Sequence, residues 1–269
     1  MNSDLEPEKR SPQGHDAPDE VPEPVVIGMS DIIAALRAGW RDFLCAPAFG
    51  LFFAGFYVMG GLVMAAVSMA AGEEWWLIPF VVGFPLIAPF AAVGLYDVSR
   101  RIEEAEPLIW REILATVFAQ KDRQVPSMAM VVLLLFMFWV FVAHTIFALF
   151  LGTSALTNIT SSPDILMQGR CLAMLLTGGV IGAIFAAALF SFTVVGLPLI
   201  LDREVDFITA IITSIRAVML NPVILSIWGA MVAGLLLVGM APFFIGLLVV
   251  LPVLGHASWH IYRRLMPDE

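Results

Sequence analysis

Charge is scarce in this sequence. Asp, Glu, Lys and Arg together make up 14% of 269 residues, against about a quarter in an average soluble domain, while hydrophobic residues make up 60% and mean hydropathy is +0.91. A water-soluble globular fold is excluded, because the chain carries more apolar side chain than a core of this size can hide. Cysteine is nearly absent, with only Cys45 and Cys171, so there is no CxxC pair. Also missing are a GxxxxGK[ST] loop, a GxGxxG turn after a strand, an HExxH helix and a GxSxG elbow. The charged stretch from Asp97 to Gln124 is too short for a catalytic domain. The chain is therefore not expected to be an enzyme, and nothing in it points to nucleic acid. No charged n-region followed by an apolar h-region and a cleavage site stands at the N-terminus, which leaves the first apolar span as the expected targeting signal.

What is present is long apolar runs. A bilayer core about 30 Å thick needs roughly 20 apolar residues at 1.5 Å each, and such runs lie at about 47–71, 75–96, 126–151, 171–201, 223–239 and 242–262. The expected fold is all-α, a polytopic membrane bundle of six transmembrane helices over residues 30–266. Residues 1–29 read as a disordered, acidic, proline-rich cytoplasmic tail, in which seven acids face Lys9 and Arg10 among five prolines. Basic residues near spans are retained in the cytoplasm. With six spans, Arg37, Arg41, Arg100, Arg101, Arg111, Lys121, Arg123, Arg203, Arg216, Arg263 and Arg264 share one side and Arg170 stands on the other. Both termini are thus expected inside. Cys45 and Cys171 fall at opposite mouths of the bundle, too far apart for a disulfide, whose Cα atoms must lie within about 7 Å.

A repeat shows in the flanks. Aligning Pro47 with Pro222 without gaps puts Asp31 on Asp206, Ala35 on Ala210 and Arg41 on Arg216. Both stretches are amphipathic, with Ile32, Ile33, Leu36, Trp40 and Phe43 in the first and Ile208, Ile211, Ile212 and Ile215 in the second; Leu108, Ile109, Ile113 and Val117 make a third. Such helices lie in the membrane interface. The exits repeat as well: Pro89, Tyr96 and Arg100–Arg101 keep the spacing of Pro252, Trp259 and Arg263–Arg264. Tyr96 and Trp259 read as members of an interface belt and the four arginines as anchors. The inferred unit is interfacial helix, span, short outer turn, span and Arg-rich exit, used three times.

Ionisable residues inside spans are functional candidates by default, and three histidines qualify: His144, His256 and His260. His256 and His260 are one helical turn apart and share a face, a spacing that can hold a metal or offer a haem ligand. The same pair also fits packed or headgroup-facing histidines near the wet inner end. His144 lies about 27 Å from the inner end of its helix and cannot join them; Asp97, Asp202, Glu204 and Asp206 lie at the right depth. No metal site and no cofactor are expected, and His256 and His260 are the only cofactor candidates. The prolines of the second, fourth and sixth spans bend their helices. Small-residue stripes at Gly178, Gly182 and Ala186, at Ala230 and Gly234, and at Gly61 and Ala65 read as packing seams.

Four stretches together, GWRDFLCAPAFGLFFAGF, PFAAVGLYDVSRRIEEAEP, GLPLILDREVDFITAIITSIRAVMLNP and VVLPVLGHASWHIYRRL, resemble a bacterial family of predicted integral membrane proteins catalogued as a domain of unknown function, over about Ser30 to Arg264. The resemblance implies an inner-membrane protein of Gram-negative bacteria and carries over no catalytic residue. Some members bear a label linking them to cytochrome c oxidase subunit I. A haem-copper oxidase core resembles twelve spans with six histidine ligands, against six spans and three membrane histidines here. Three functions compete: a non-catalytic accessory or scaffold protein whose partners are the lipid bilayer and a membrane protein; a transporter or lipid-handling protein; and a haem- or metal-binding protein associated with a respiratory oxidase.

Overall fold

A computed structural model of the chain describes residues 21–71, 91–151, 169–242 and 244–267, and among these residues it is helical with no strands. The helices are α1 (Met29–Cys45), α2 (Pro47–Ala71), α3 (residues 91–103), α4 (Trp110–Ala119), α5 (Val125–Leu151), α6 (Gly169–Thr193), α7 (Gly196–Asp202), α8 (Phe207–Leu220), α9 (Pro222–Met240) and α10 (Leu247–Leu265), with a 3-10 turn at Gln120–Asp122.

Three stretches are long and apolar enough to cross a bilayer: Val125–Phe150, Leu172–Asp202 and Pro222–Met240. A fourth arises when α2 is taken with α1, from which it turns by 98°. The described residues thus carry three or four of the six expected crossings. Most of the second, 75–96, lies outside them. The sixth, read as 242–262, is displaced: its helix runs to Leu265, and its second half is packed in protein. Pro198 divides the fourth, since it cannot donate to the carbonyl of Val194, and α6 gives way to α7 there. The long helices turn Phe52, Phe56, Leu134, Phe141, Leu176, Val180, Leu237 and Val238 outward, a surface that only hydrocarbon can cover. Their polar side chains are satisfied on their own backbones four residues back: Thr145 on Phe141, Ser191 on Ala187, and His144 Nδ1 with the Val140 carbonyl at 2.8 Å. Of the small-residue stripes, Gly182 receives the Trp139 ring, whereas Gly178 and Gly234 face open space.

The core sits at the basic face, where short helices meet the ends of long ones. Three times a short amphipathic helix precedes a long apolar one that starts at proline: α1 before Pro47, α4 before Pro126 and α8 before Pro222. Proline at the first turn needs no amide partner. The corner residues of the first and third units match closely, Ala46 at φ −133, ψ 52 and Asn221 at φ −123, ψ 47. In α1 the buried face is Ile32, Ala35, Gly39, Asp42 and Phe43, and in α8 it is Ala210, Thr213, Ser214 and Ala217. Ile33, Trp40 and Leu44, like Ile208, Ile212 and Met219, point outward. The large side chains at Ile33, Trp40, Ile208 and Ile212 face away from the protein, and the small ones let backbones approach.

Each short helix packs on the exit helix of the unit before it. The α4 residue Ile113 joins Leu95 and Val98 of α3. In α8, Ser214 Oγ accepts from the Val195 amide at 3.1 Å, and Gly196 lies against the Ala210 carbonyl. The α1 helix closes the series on α10, where a Cβ built on Gly39 would stand 2.6 Å from Ala257 N and 2.8 Å from Val253 O. Equivalent ion pairs accompany the first and last of these contacts: Arg101 of the first exit meets Glu112 of α4 at 2.9 Å, and Arg264 of the last meets Asp31 of α1 at 3.7 Å. The three exits converge on Arg263, which reaches Glu103 at 3.4 Å and Asp202 at 3.8 Å.

Residues 21–28, placed by the sequence in the tail, run extended against this layer. Val25 N donates to the Leu265 carbonyl at 2.9 Å, Ile27 N donates to Asn221 Oδ1 at 2.9 Å, and Asn221 Nδ2 donates to the Val25 and Ala217 carbonyls. Asn221→Ala leaves Ile27 N and Val25 O without those partners, a loss of about 1–3 kcal/mol. Thermal melting of the purified protein should fall accordingly, and protease should cut ahead of Met29 faster than in the parent; equal cutting rates would sink the assignment.

Candidate functional site

The α10 helix carries His256 and His260 into the layer between α1 and α3, with His256 wholly buried and His260 8% exposed. His260 Nε2 lies 2.6 Å from Asp42 Oδ2, and Ser99 Oγ lies 2.7 Å from His256 Nδ1. One polar network therefore joins α1, α3 and α10 inside apolar surroundings, where a hydrogen bond is strong and a missing one expensive. Asp42 Oδ1 and His256 Nε2 are buried with no hydrogen-bond partner among the described residues.

Asp42 was not singled out by the sequence reading, although it is the carboxylate that reaches the histidine pair. The four expected at that depth are engaged elsewhere. Asp97 is buried under Arg100 at 2.5 Å and Arg101 at 3.1 Å; Asp202 accepts from the Tyr262 hydroxyl at 2.6 Å; Glu204 pairs with Arg123; Asp206 caps α8. The signal for Asp42 is its register: Ile32, Ala35, Gly39 and Asp42 recur three or four apart, which puts the carboxylate on the small-residue stripe.

Burial drives the Asp42 carboxyl upward, but the hydrogen bond and charge of His260, helped by Ser99 and His256, outweigh it and hold the group below the usual carboxylate range. The arrangement is not a nucleophile triad. Ser99 meets one imidazole and Asp42 binds the other, so no single ring lies between hydroxyl and carboxylate as proton relay requires. Among the described residues no three of His, Cys, Asp and Glu converge as metal ligands, and each ring of the candidate pair already has a protein partner.

The anchors are placed differently from a membrane belt. Tyr96 and Trp259 are buried, their ring centroids 6.5 Å apart, and Trp259 Nε1 donates to Glu103 at 3.0 Å. At this end the two aromatics therefore meet protein rather than headgroups. Arg100, Arg101, Arg263 and Arg264 are paired with acids of neighbouring elements or of their own helix. Cys45 is free and exposed, and the side chain of Cys171 lies outside those described.

At Asp206, hydrogen bonds from the Thr209 hydroxyl at 2.6 Å and amide at 3.0 Å, and from the Ile208 amide at 2.9 Å, hold the carboxyl below its usual range. A lowered folded value stabilises above the unfolded one, about 3.9, and the stabilisation is lost as pH falls through the folded value. Asp206→Ala should cost about 0.5–2 kcal/mol at neutral pH. The gap in melting temperature between parent and variant should narrow as pH falls through the folded value; a gap that acid leaves unchanged would refute the cap.

Residues 77–202 match a protein family described as a predicted integral membrane protein, DUF2189. That is narrower than the stretch from Ser30 to Arg264 over which the sequence motifs carry the resemblance. No curated protein and no solved structure matches the chain.

Proposed function

We propose that this membrane protein is a non-catalytic accessory or scaffold protein of a bacterial inner membrane, crossing the bilayer six times with both termini in the cytoplasm. The observation that carries the reading is how its chemistry-capable side chains are used. Asp42 with His260, Ser99 with His256, Asp202 with Tyr262, Glu103 with Trp259 and Glu112 with Arg101 each join two different helices. A working catalytic site keeps a polar group within reach of substrate; these groups bind the layer into one rigid body. Facing outward from the same layer are Arg37, Arg41, Arg111, Lys121 and Arg216, a basic surface suited to anionic headgroups or to an acidic partner.

Native mass spectrometry after gentle extraction should find a membrane-protein partner at fixed stoichiometry, lost on reversing Arg37, Arg41 and Arg216 to Glu. A consistently solitary chain would overturn the reading. Orientation is tested through Cys45 in a Cys171→Ser background: a membrane-impermeant maleimide should label inverted vesicles and leave intact cells unlabelled. Labelling of intact cells instead would place this face outside.

A further inference from the structure

A partly open cavity of about 540 Å³ lies between α2, α3, α9 and α10, with Phe53, Tyr57, Leu95, Leu236, Phe244 and Leu254 among the described residues of its wall. Protein interiors tolerate few voids larger than one water, and a space of this volume falls in the range of small-molecule sites, about 300–1,000 Å³. Water is a poor occupant, since each molecule needs two to four polar partners. Ser258, one of the two hydroxyl-bearing residues among the described residues of the wall, donates to the Leu254 carbonyl of its own helix at 2.7 Å. What fills the cavity is therefore apolar.

Its position and length narrow the choice. Phe56 and Met59 of α2 and Leu237 and Val238 of α9 are exposed on the same helices, so hydrocarbon surrounds the helices that frame the opening. Along α10 the wall runs from Leu247 to Ser258, about 16 Å at 1.5 Å per residue. That is close to half of a hydrocarbon core about 30 Å thick, the reach of one lipid tail within one leaflet. At one end stands Phe244, whose φ of 65° is a left-handed backbone that bulky residues avoid. Its ring lies 3.8 Å from a Cβ built on Gly61, closing the cavity where α9 turns into α10.

We propose that this cavity binds one acyl chain of a bilayer phospholipid, admitted sideways from the hydrocarbon core. The full chain, reconstituted with palmitoyl-oleoyl phosphatidylethanolamine and phosphatidylglycerol and then transferred to mild detergent, should retain one phospholipid by native mass spectrometry. Gly61→Leu and Ala92→Leu, which project into the space, should lower retention at least fivefold, while Leu237→Ala on the outer surface leaves it unchanged. Equal retention in parent and filled variants, or none in the parent, would overturn the site. A second measurement needs no variant. A phospholipid with a diazirine in its tail, photolysed in the parent protein, should label the α9 and α10 segments that line the cavity; labelling confined to the outward faces, or no labelling of those segments, would overturn it too.

Discussion

Asp42→Leu should lower stability by about 3–5 kcal/mol, the cost of removing one partner from a buried pair. The carboxylate is wholly buried and accepts from His260 at 2.6 Å, so its loss leaves a buried imidazole without its partner. Asp42→Asn should cost less, because an amide oxygen can still accept from His260. The sharper expectation concerns the pair together: Asp42→Leu with His260→Leu should recover much of the loss, since well-packed apolar side chains often replace a buried ion pair without penalty. Thermal melting of the four proteins in one detergent gives the cycle. A single substitution costing under 1 kcal/mol, or losses that simply add, would show that the pair does not hold α1 to α10. The parent should also loosen in acid. Because the Asp42 carboxyl is held below its usual range, its contribution is complete above about pH 4 and fades as pH falls through the lower folded value.

Gly39→Val should be as severe. Even a methyl at this position would stand 2.6–2.9 Å from backbone atoms of Ala257 and Val253, and backbone cannot rotate aside as a flexible side chain can. The α1 helix must retreat from α10, at a cost of at least the 1–3 kcal/mol typical of overpacking. Retreat also draws Asp42, one turn further along α1, away from His260. Gly39→Val combined with Asp42→Leu should therefore cost clearly less than the two separately, by the same melting assay. Full additivity would mean that the close approach and the ion pair are independent.

Hydropathy made the long helices legible, and the alignment of Pro47 with Pro222 located two corners whose dihedral angles agree. The pairing of Arg101 with Glu112 and of Arg264 with Asp31 follows the repeat that the flanks display. The packed faces of α1 and α8 carry a weaker signal. In water a large apolar residue marks the buried face of a helix, but at a membrane the hydrocarbon accepts Ile33, Trp40, Ile208 and Ile212 as readily as a core would, and close packing selects Ala35, Gly39 and Ser214 instead. Asp42 rides on that small-residue face, to which the amphipathic pattern of large residues does not point. Tyr96 and Trp259, expected in an interface belt, are buried: an aromatic near the end of an apolar run belongs to the headgroup zone only if no protein covers it, and cover supplied by elements distant in sequence has no local signal.

The contacts between units run in one direction, each short helix seated on the exit of the unit before, and the first seated on the exit of the last. A head-to-tail contact of this kind has two different halves, and between separate molecules it either continues as a filament or closes as a ring. Here the third joint returns to the first unit, within one polypeptide. Joints inside a single chain need not be alike, and the first copy places a carboxylate, Asp42, where the third has Ala217.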